Sequence, residues 1–336
     1  MGTAIKIVRR KRKSGRFGWL SLLTAGLAYV GGSYWAARRL ADRLLSAEGL
    51  GPTAARREDL LAALRASAAS VADFRYAGSA RAPAVLAAIF ASPGEPAERP
   101  TILFLHGKGG ASAEWQPDAL RALSLGYNVL LPDLRGHRPS EGEFVTYGYL
   151  EKEDLANGVG EAHRRFGLDP TRLGLQACSA GSTVALEFAA DRQGVLALWI
   201  ESPYADAAEM ARHYLSVAVQ LPRWALALTS RWALARAVTR LRRELHVVDP
   251  HAGLAEIDPV RALTRVRGKV LLVHGQKDLL VPPRFAARLE AALPADGAVW
   301  RVEGAGHCHH ENEPARVVAE EYRRRWTEFF EGNLPV

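Results

Sequence analysis

The segment Gln176-Ala177-Cys178-Ser179-Ala180-Gly181 lies between the stretch Arg172-Leu173-Gly174-Leu175 and the helix-like run Ser182-Thr183-Val184-Ala185-Leu186-Glu187-Phe188. That order reads as strand, abrupt turn and helix, with a serine at the apex and small residues two positions to either side. A hydroxyl held there stands clear of the backbone at the positive end of a helix, where an attacking oxygen is useful. The usual pattern is Gly-x-Ser-x-Gly, and Ala177 replaces its first glycine. The change is mild, because the turn needs only a small side chain at that point. Taking Cys178 as nucleophile instead would put Gln176 where a small residue is required, so Ser179 is the candidate.

The rest of the chain supplies a sheet for such a turn. Strands are expected over 71–76, 84–90, 101–105, 127–131, 172–177, 195–200, 269–274 and 299–302. Helices are expected over 113–125, 149–166, 179–191, 283–293 and 314–330. From residue 101 onward strands and helices alternate, which indicates an α/β fold with a mostly parallel, doubly wound sheet. Between 203 and 265 the alternation stops, and a helical insertion rich in Leu and Trp is expected to sit over the carboxyl ends of the strands as a lid.

A net charge of +8 at first points to nucleic acid. Its location argues otherwise: ten Lys or Arg against the single Asp42 put +9 on residues 1–43 and leave −1 for the remainder. Nucleic acid is therefore not an expected partner, and no obligate protein partner is evident. Between the basic groups, Phe17 to Ala37 carries no charge, and as a helix it would span roughly 30 Å, a bilayer core. The expected division is a basic tail over 1–16, a transmembrane helix over 17–37, a helical linker over 38–70 and a catalytic domain over 71–332. The excess of basic residues before the run predicts a cytoplasmic amino terminus and an exported domain, periplasmic or extracellular. A cleaved signal peptide and a buried or interfacial helix are the competing readings. The two cysteines, Cys178 and Cys308, make no disulfide framework. They flank candidate reacting residues, but neighbouring side chains in tight turns point in different directions, so the thiols are expected to stay apart.

Three stretches carry acyl-transfer chemistry. The amide of Ala180, following Ser179, and the amide of Lys108, in Leu105-His106-Gly107-Lys108-Gly109-Gly110, are placed to stabilise an oxyanion. A serine hydroxyl needs an imidazole to accept its proton and a carboxylate to orient that imidazole. Gly275-Gln276-Lys277-Asp278 and Gly304-Ala305-Gly306-His307 each follow a late strand and supply both. Glu201 is a rival acid, and His309 and His310 are rival bases. The cluster His307, His309, His310 and Glu311 lacks convincing metal-ligand spacing, so neither metal nor cofactor is expected. His106, Asp133, Arg135 and His137 read as loop-shaping groups.

Residues 70 to 332 resemble an α/β-hydrolase. Besides the order Ser179, Asp278, His307, the segment Asp133-Leu134-Arg135-Gly136-His137-Arg138-Pro139-Ser140-Glu141-Gly142 is similar to the family's Asp-x-Arg-Gly-His-Gly-x-Ser loop, with Arg138 replacing a glycine. Tyr147-Gly148 and Asp154 continue as in esterase- and peptidase-like members. The resemblance implies a serine hydrolase acting through an acyl-enzyme on esters or thioesters. It also favours Asp278 as the acid, because Leu-Leu-Val-Pro-Pro follows it, and the serine argues against the branches that use an aspartate nucleophile. A lipophilic acyl group, a peptidase or amidase activity, and a catalytically silent binding module are the readings to be separated.

Overall fold

A computed structural model describes residues 15–46, 54–190, 192–207, 209–210, 213, 216, 227–244, 257–308 and 318–336. Its centre is one sheet of eight strands in the order β1-β2-β4-β3-β5-β6-β7-β8. The strands are β1 (Ser70–Ala77), β2 (Val85–Ser92), β3 (Thr101–Leu105), β4 (Asn128–Asp133), β5 (Leu173–Cys178), β6 (Val195–Glu201), β7 (Lys269–Gly275) and β8 (Ala298–Val302). Only β1 with β2 and β2 with β4 pair antiparallel, and all later pairs are parallel. Every residue of β3, β4 and β5 is buried, which is why these strands show no alternation of exposed polar residues.

Helices cover both faces. One carries α4 (Glu151–Phe166), α5 (Ala180–Ala189), α7 (Pro259–Leu263) and α8 (Arg284–Glu290), with Leu155, Val184, Leu263 and Phe285 in a common core. The other carries α2 (Ala54–Ser67), α3 (Gln116–Ser124) and α9 (Ala319–Asn333), packed through Leu60, Leu64, Ala119, Tyr322 and Trp326. The strand order reverses direction beside β3: β4 lies to one side of it and β5 to the other. At such a switch point, the loops leaving neighbouring strands diverge and open a crevice at their carboxyl ends. The pairing of Leu105 with Ala177 brings the Gly107 loop and Ser179 to that same place.

The amino-terminal region departs from expectation. Helix α1 (Gly15–Leu45) does not stop at Ala37 but runs on through Arg38 and Arg39. Its last turns bury Ala37, Leu40, Ala41 and Leu45, chiefly against helix α6 (Ala227–Glu244) and the segment around Phe144. Among the described residues no helix is long and apolar enough to cross a membrane. The expected transmembrane helix over 17–37 is corrected accordingly. Glycine, serine, threonine and tyrosine dilute that uncharged run, and its continuation is protein-facing. The linker over 38–70 is likewise divided between the end of α1 and α2. Of the expected lid, α6 and α7 are described helices, whereas 217–226 and 245–256 lie outside the described residues.

Candidate active site

Ser179 occupies a sharp turn with φ 54° and ψ −120°, between the last residue of β5 and the first of α5. The left-handed backbone at a non-glycine residue is the departure that lifts its side chain out of the strand line. Two glycines make the turn possible. A Cβ on Gly181 would lie 2.5 Å from the carbonyl oxygens of both Leu105 and His106, and one on Gly107 would lie 3.2 Å from Cβ of Ser179. The Gly107 loop and the serine are thus in direct contact. Ala180 opens α5, so its amide belongs to the helix-end N–H groups that have no partner within the helix.

Two buried histidines shape the Gly107 loop. His106 is fully buried, with Nδ1 2.8 Å from the Gly107 carbonyl and Nε2 accepting the Leu134 amide at 3.0 Å. His137 Nε2 accepts the Gly109 amide at 3.0 Å, and burial, with His106 beside it, pushes its pKa down to about 3. Asp133 holds the Ser112 amide and the Arg57 guanidinium, while Arg135 makes a two-pronged pair with Asp154 at 2.8 and 2.7 Å. All four sequence-identified groups are therefore structural. The Lys108 ammonium donates to the carbonyl of Arg43, and burial pushes its pKa down to about 8.

The acid and base come together on the other side. His307 Nδ1 donates to Asp278 Oδ2 at 2.8 Å, and Asp278 Oδ1 accepts the amides of Leu280 and Val281 at 2.9 and 2.7 Å. One oxygen shapes the turn and the other orients the imidazole, leaving His307 Nε2 as the acceptor. Burial of Asp278 opposes its ionisation, but the contacts with His307, the Val281 amide and Ser202 together outweigh it and hold the carboxyl below its ordinary pKa. The turn is seated against the histidine loop by Gly275, where a Cβ would meet the Gly306 oxygen at 2.1 Å. Ser179 makes no hydrogen bond to His307 here; such contacts are often loose before substrate binds.

Glu201, the rival acid, is fully buried and engaged elsewhere: it accepts from Trp199 Nε1 at 3.0 Å, Gln176 Nε2 at 3.3 Å and the Tyr322 hydroxyl. His309, His310 and Glu311 lie outside the described residues. Two features escaped the sequence reading. Ser202, with φ 45°, accepts the Cys308 amide at 3.1 Å and hydrogen-bonds Asp278. Its only signal was its place one residue past a buried strand. The second is a correction: Cys178 and Cys308 form a disulfide, with Cα atoms 5.8 Å apart. Cys178 still follows the strand while Ser179 turns away from it. On the other side it is Cys308 itself, the residue after His307, that turns to positive φ, at 55°.

Comparisons with known proteins bear on the family and the fold. Residues 102–321 match the family described as "Alpha/beta hydrolase family". The uncharacterized protein YqkD of Bacillus subtilis is 27% identical over 189 residues, covering 55% of this chain and 57% of that protein. The uncharacterized protein Rv2307c of Mycobacterium tuberculosis is 28% identical over 235 residues, covering 68% and 70%. The chain thus spans little more than half the length of the first of these relatives. Among solved structures, the Pyrococcus furiosus esterase Pf2001 superposes with a TM-score of 0.61 at 19% identity, covering 85% of this chain and 97% of that one. The Pyrococcus horikoshii acylaminoacyl peptidase gives 0.58 at 16% identity, covering 79% and 42%. At such identities these likenesses speak for the fold alone.

Proposed function

Because the chain belongs to the alpha/beta hydrolase family, we propose that it is a serine hydrolase cleaving carboxylic esters or thioesters through Ser179, His307 and Asp278. The observation that carries this reading is the oriented His307–Asp278 pair, on a loop cross-linked to the residue beside the left-handed serine turn. Ser179 Oγ attacks the substrate carbonyl as His307 Nε2 takes its proton. The amides of Lys108 and Ala180 receive the developing oxyanion. Loss of one such donor costs about 2.7–4 kcal/mol of transition-state stabilisation. His307 then protonates the leaving group, and water, deprotonated by the same nitrogen, releases the acid and restores Ser179. No cofactor enters this scheme.

In this reading the insertion after β6, α6 included, forms a cover over the site and favours a lipophilic acyl group. Membrane attachment is proposed as surface association: Leu23, Leu27, Tyr34 and Trp35 are exposed on α1, next to the basic residues of 1–16. A domain on the exported side of that membrane fits a disulfide beside the site.

The test is hydrolysis of aryl esters graded in acyl length, with Ser179→Ala as control, together with fluorophosphonate labelling. Serine-dependent turnover rising toward long chains is expected. Turnover confined to short acyl groups would remove the lipophilic reading. Labelling without ester turnover would favour the amide-cleaving alternative, as in a peptidase. Wild type that neither labels nor differs from Ser179→Ala would leave a silent binding module.

A further inference from the structure

The disulfide joins the two sides of the site at one residue's remove from each reacting group: Cys178 precedes Ser179 and Cys308 follows His307. We propose that the Cys178–Cys308 bond is a positioning cross-link that holds the His307 loop in register with Ser179, so that the oxidised chain is the active form. The proposal rests on the serine-hydrolase reading above. Three features argue that this bond acts on the site rather than merely on overall stability.

The first is where it sits. The halves are 130 residues apart in sequence, one the last residue of β5 and the other in the loop leaving β8, and β6 and β7 lie between those strands. No ladder hydrogen bond ties β5 to β8, so the cross-link reaches directly across a gap that the sheet spans only through intermediates. Next comes the backbone it restrains. Ser179, Ser202 and Cys308 have φ of 54°, 45° and 55°. Non-glycine residues persist in that region only where the surroundings over-determine them. Among the described residues, Cys308 is held by the disulfide and by its amide N–H donating to Ser202 Oγ, and the same Ser202 hydroxyl reaches Asp278, while farther back the loop is tied to the acid turn through the Lys277 amide and the Ala305 carbonyl. Finally, both half-cystines are only 4% exposed, so the bond is packed into the structure rather than standing open at the surface. The serine and the acid turn have backing of their own, from Gly181 on β3 and from Asp278 Oδ1 on its own loop.

Opening the bond takes two electrons and two protons from a dithiol. One thiolate attacks a cystine sulfur, giving a mixed disulfide and releasing the other cysteine as a thiolate that picks up a proton. The second thiol of the reagent then displaces the first cysteine, and the reagent leaves as its own cyclic disulfide.

Full-length protein produced in an oxidising compartment is assayed before and after dithiothreitol, with alkylation and mass spectrometry counting open thiols. Misplacing a reacting group by about an ångström costs on the order of a hundredfold in rate. Reduction is therefore expected to lower kcat and the rate of fluorophosphonate labelling together by about ten- to a hundredfold. KM should change little, the thermal transition should remain well above the assay temperature, and reoxidation should restore the rate. The double variant Cys178→Ala/Cys308→Ala should match reduced wild type and ignore dithiothreitol. The idea fails if verified opening leaves kcat unchanged, if fully active protein carries two free thiols, or if the activity lost is only that of unfolded chains. A Ser179→Ala variant that still hydrolyses ester would instead bring down the underlying assignment.

Discussion

In the proposed mechanism, Asp278 is one carboxylate that serves the turn and the reaction at once. Oδ1 closes the loop through two backbone amides while Oδ2 receives His307 Nδ1. Asp278→Asn keeps the shape but offers either an amide that cannot accept from Nδ1–H or an oxygen without charge. It is expected to lower kcat by several powers of ten with a small change in KM, in line with a lost imidazole orientation. A pH consequence follows from the same contacts. The folded carboxyl ionises at lower pH than it would in the unfolded chain, so its stabilising contribution is complete above the unfolded pKa. It is lost as pH falls through the depressed folded value. The melting-temperature gap between wild type and Asp278→Asn should accordingly be widest near neutrality and close on acidification. A gap that widened toward acid would contradict the contacts described. The residue types at this site were readable in the sequence, because the chemistry admits few alternatives. The resemblance of the turn after Asp278 already favoured it over Glu201, and the hydrogen bonds give the physical reason: Glu201 ends β6 among buried partners, and Asp278 faces the imidazole.

Among the elements, the strand–turn–helix unit of β5 and α5 depends on contact with β3. Gly181→Ala places a methyl group 2.5 Å from two backbone oxygens that no rotamer change can move. A cost of at least about 1–3 kcal/mol is expected from such overpacking. Thermal unfolding and the labelling rate of Ser179 should fall together. An unaltered transition would mean that β3 and α5 are farther apart than described. The buried strands were legible because continuous apolar runs bounded by turns have few other solutions. Their order was not: β3, β4 and β5 are similar in composition, and the reversal beside β3 comes from pairing partners far apart in the chain.

For the whole molecule, α1 is the element whose role the sequence left most open. An uncharged helical run reads alike whether lipid or protein covers it. Here its Ala37 and Ala41 pack in step with Ala233 and Ala237 of α6, small residues that let two helices approach closely, and Arg240 reaches Asp42 at 2.7 Å. Earlier on the helix, Leu23 and Leu27 are each 65% exposed. Burying a leucine in a lipid interface contributes about 1.5–3 kcal/mol. Leu23→Asp/Leu27→Asp is therefore expected to weaken sedimentation with anionic vesicles by about tenfold or more, with soluble-ester hydrolysis unchanged. Equal sedimentation of both proteins would rule out this face as the attachment.

The sequence by itself determined the alternation of elements, the serine turn, and the chain order of the candidate residues Ser179, Asp278 and His307. Each of these rests on local chemistry: apolar period, small residues at a tight turn, and the few side chains able to move a proton. Tertiary structure alone decided what touches what across long separations. It set Gly107 against Ser179, Asp278 rather than Glu201 against His307, Cys178 against Cys308, and the end of α1 against α6. Such pairings depend on strand order and on backbone turned at Ser179, Ser202 and Cys308, neither of which any local stretch of residues encodes.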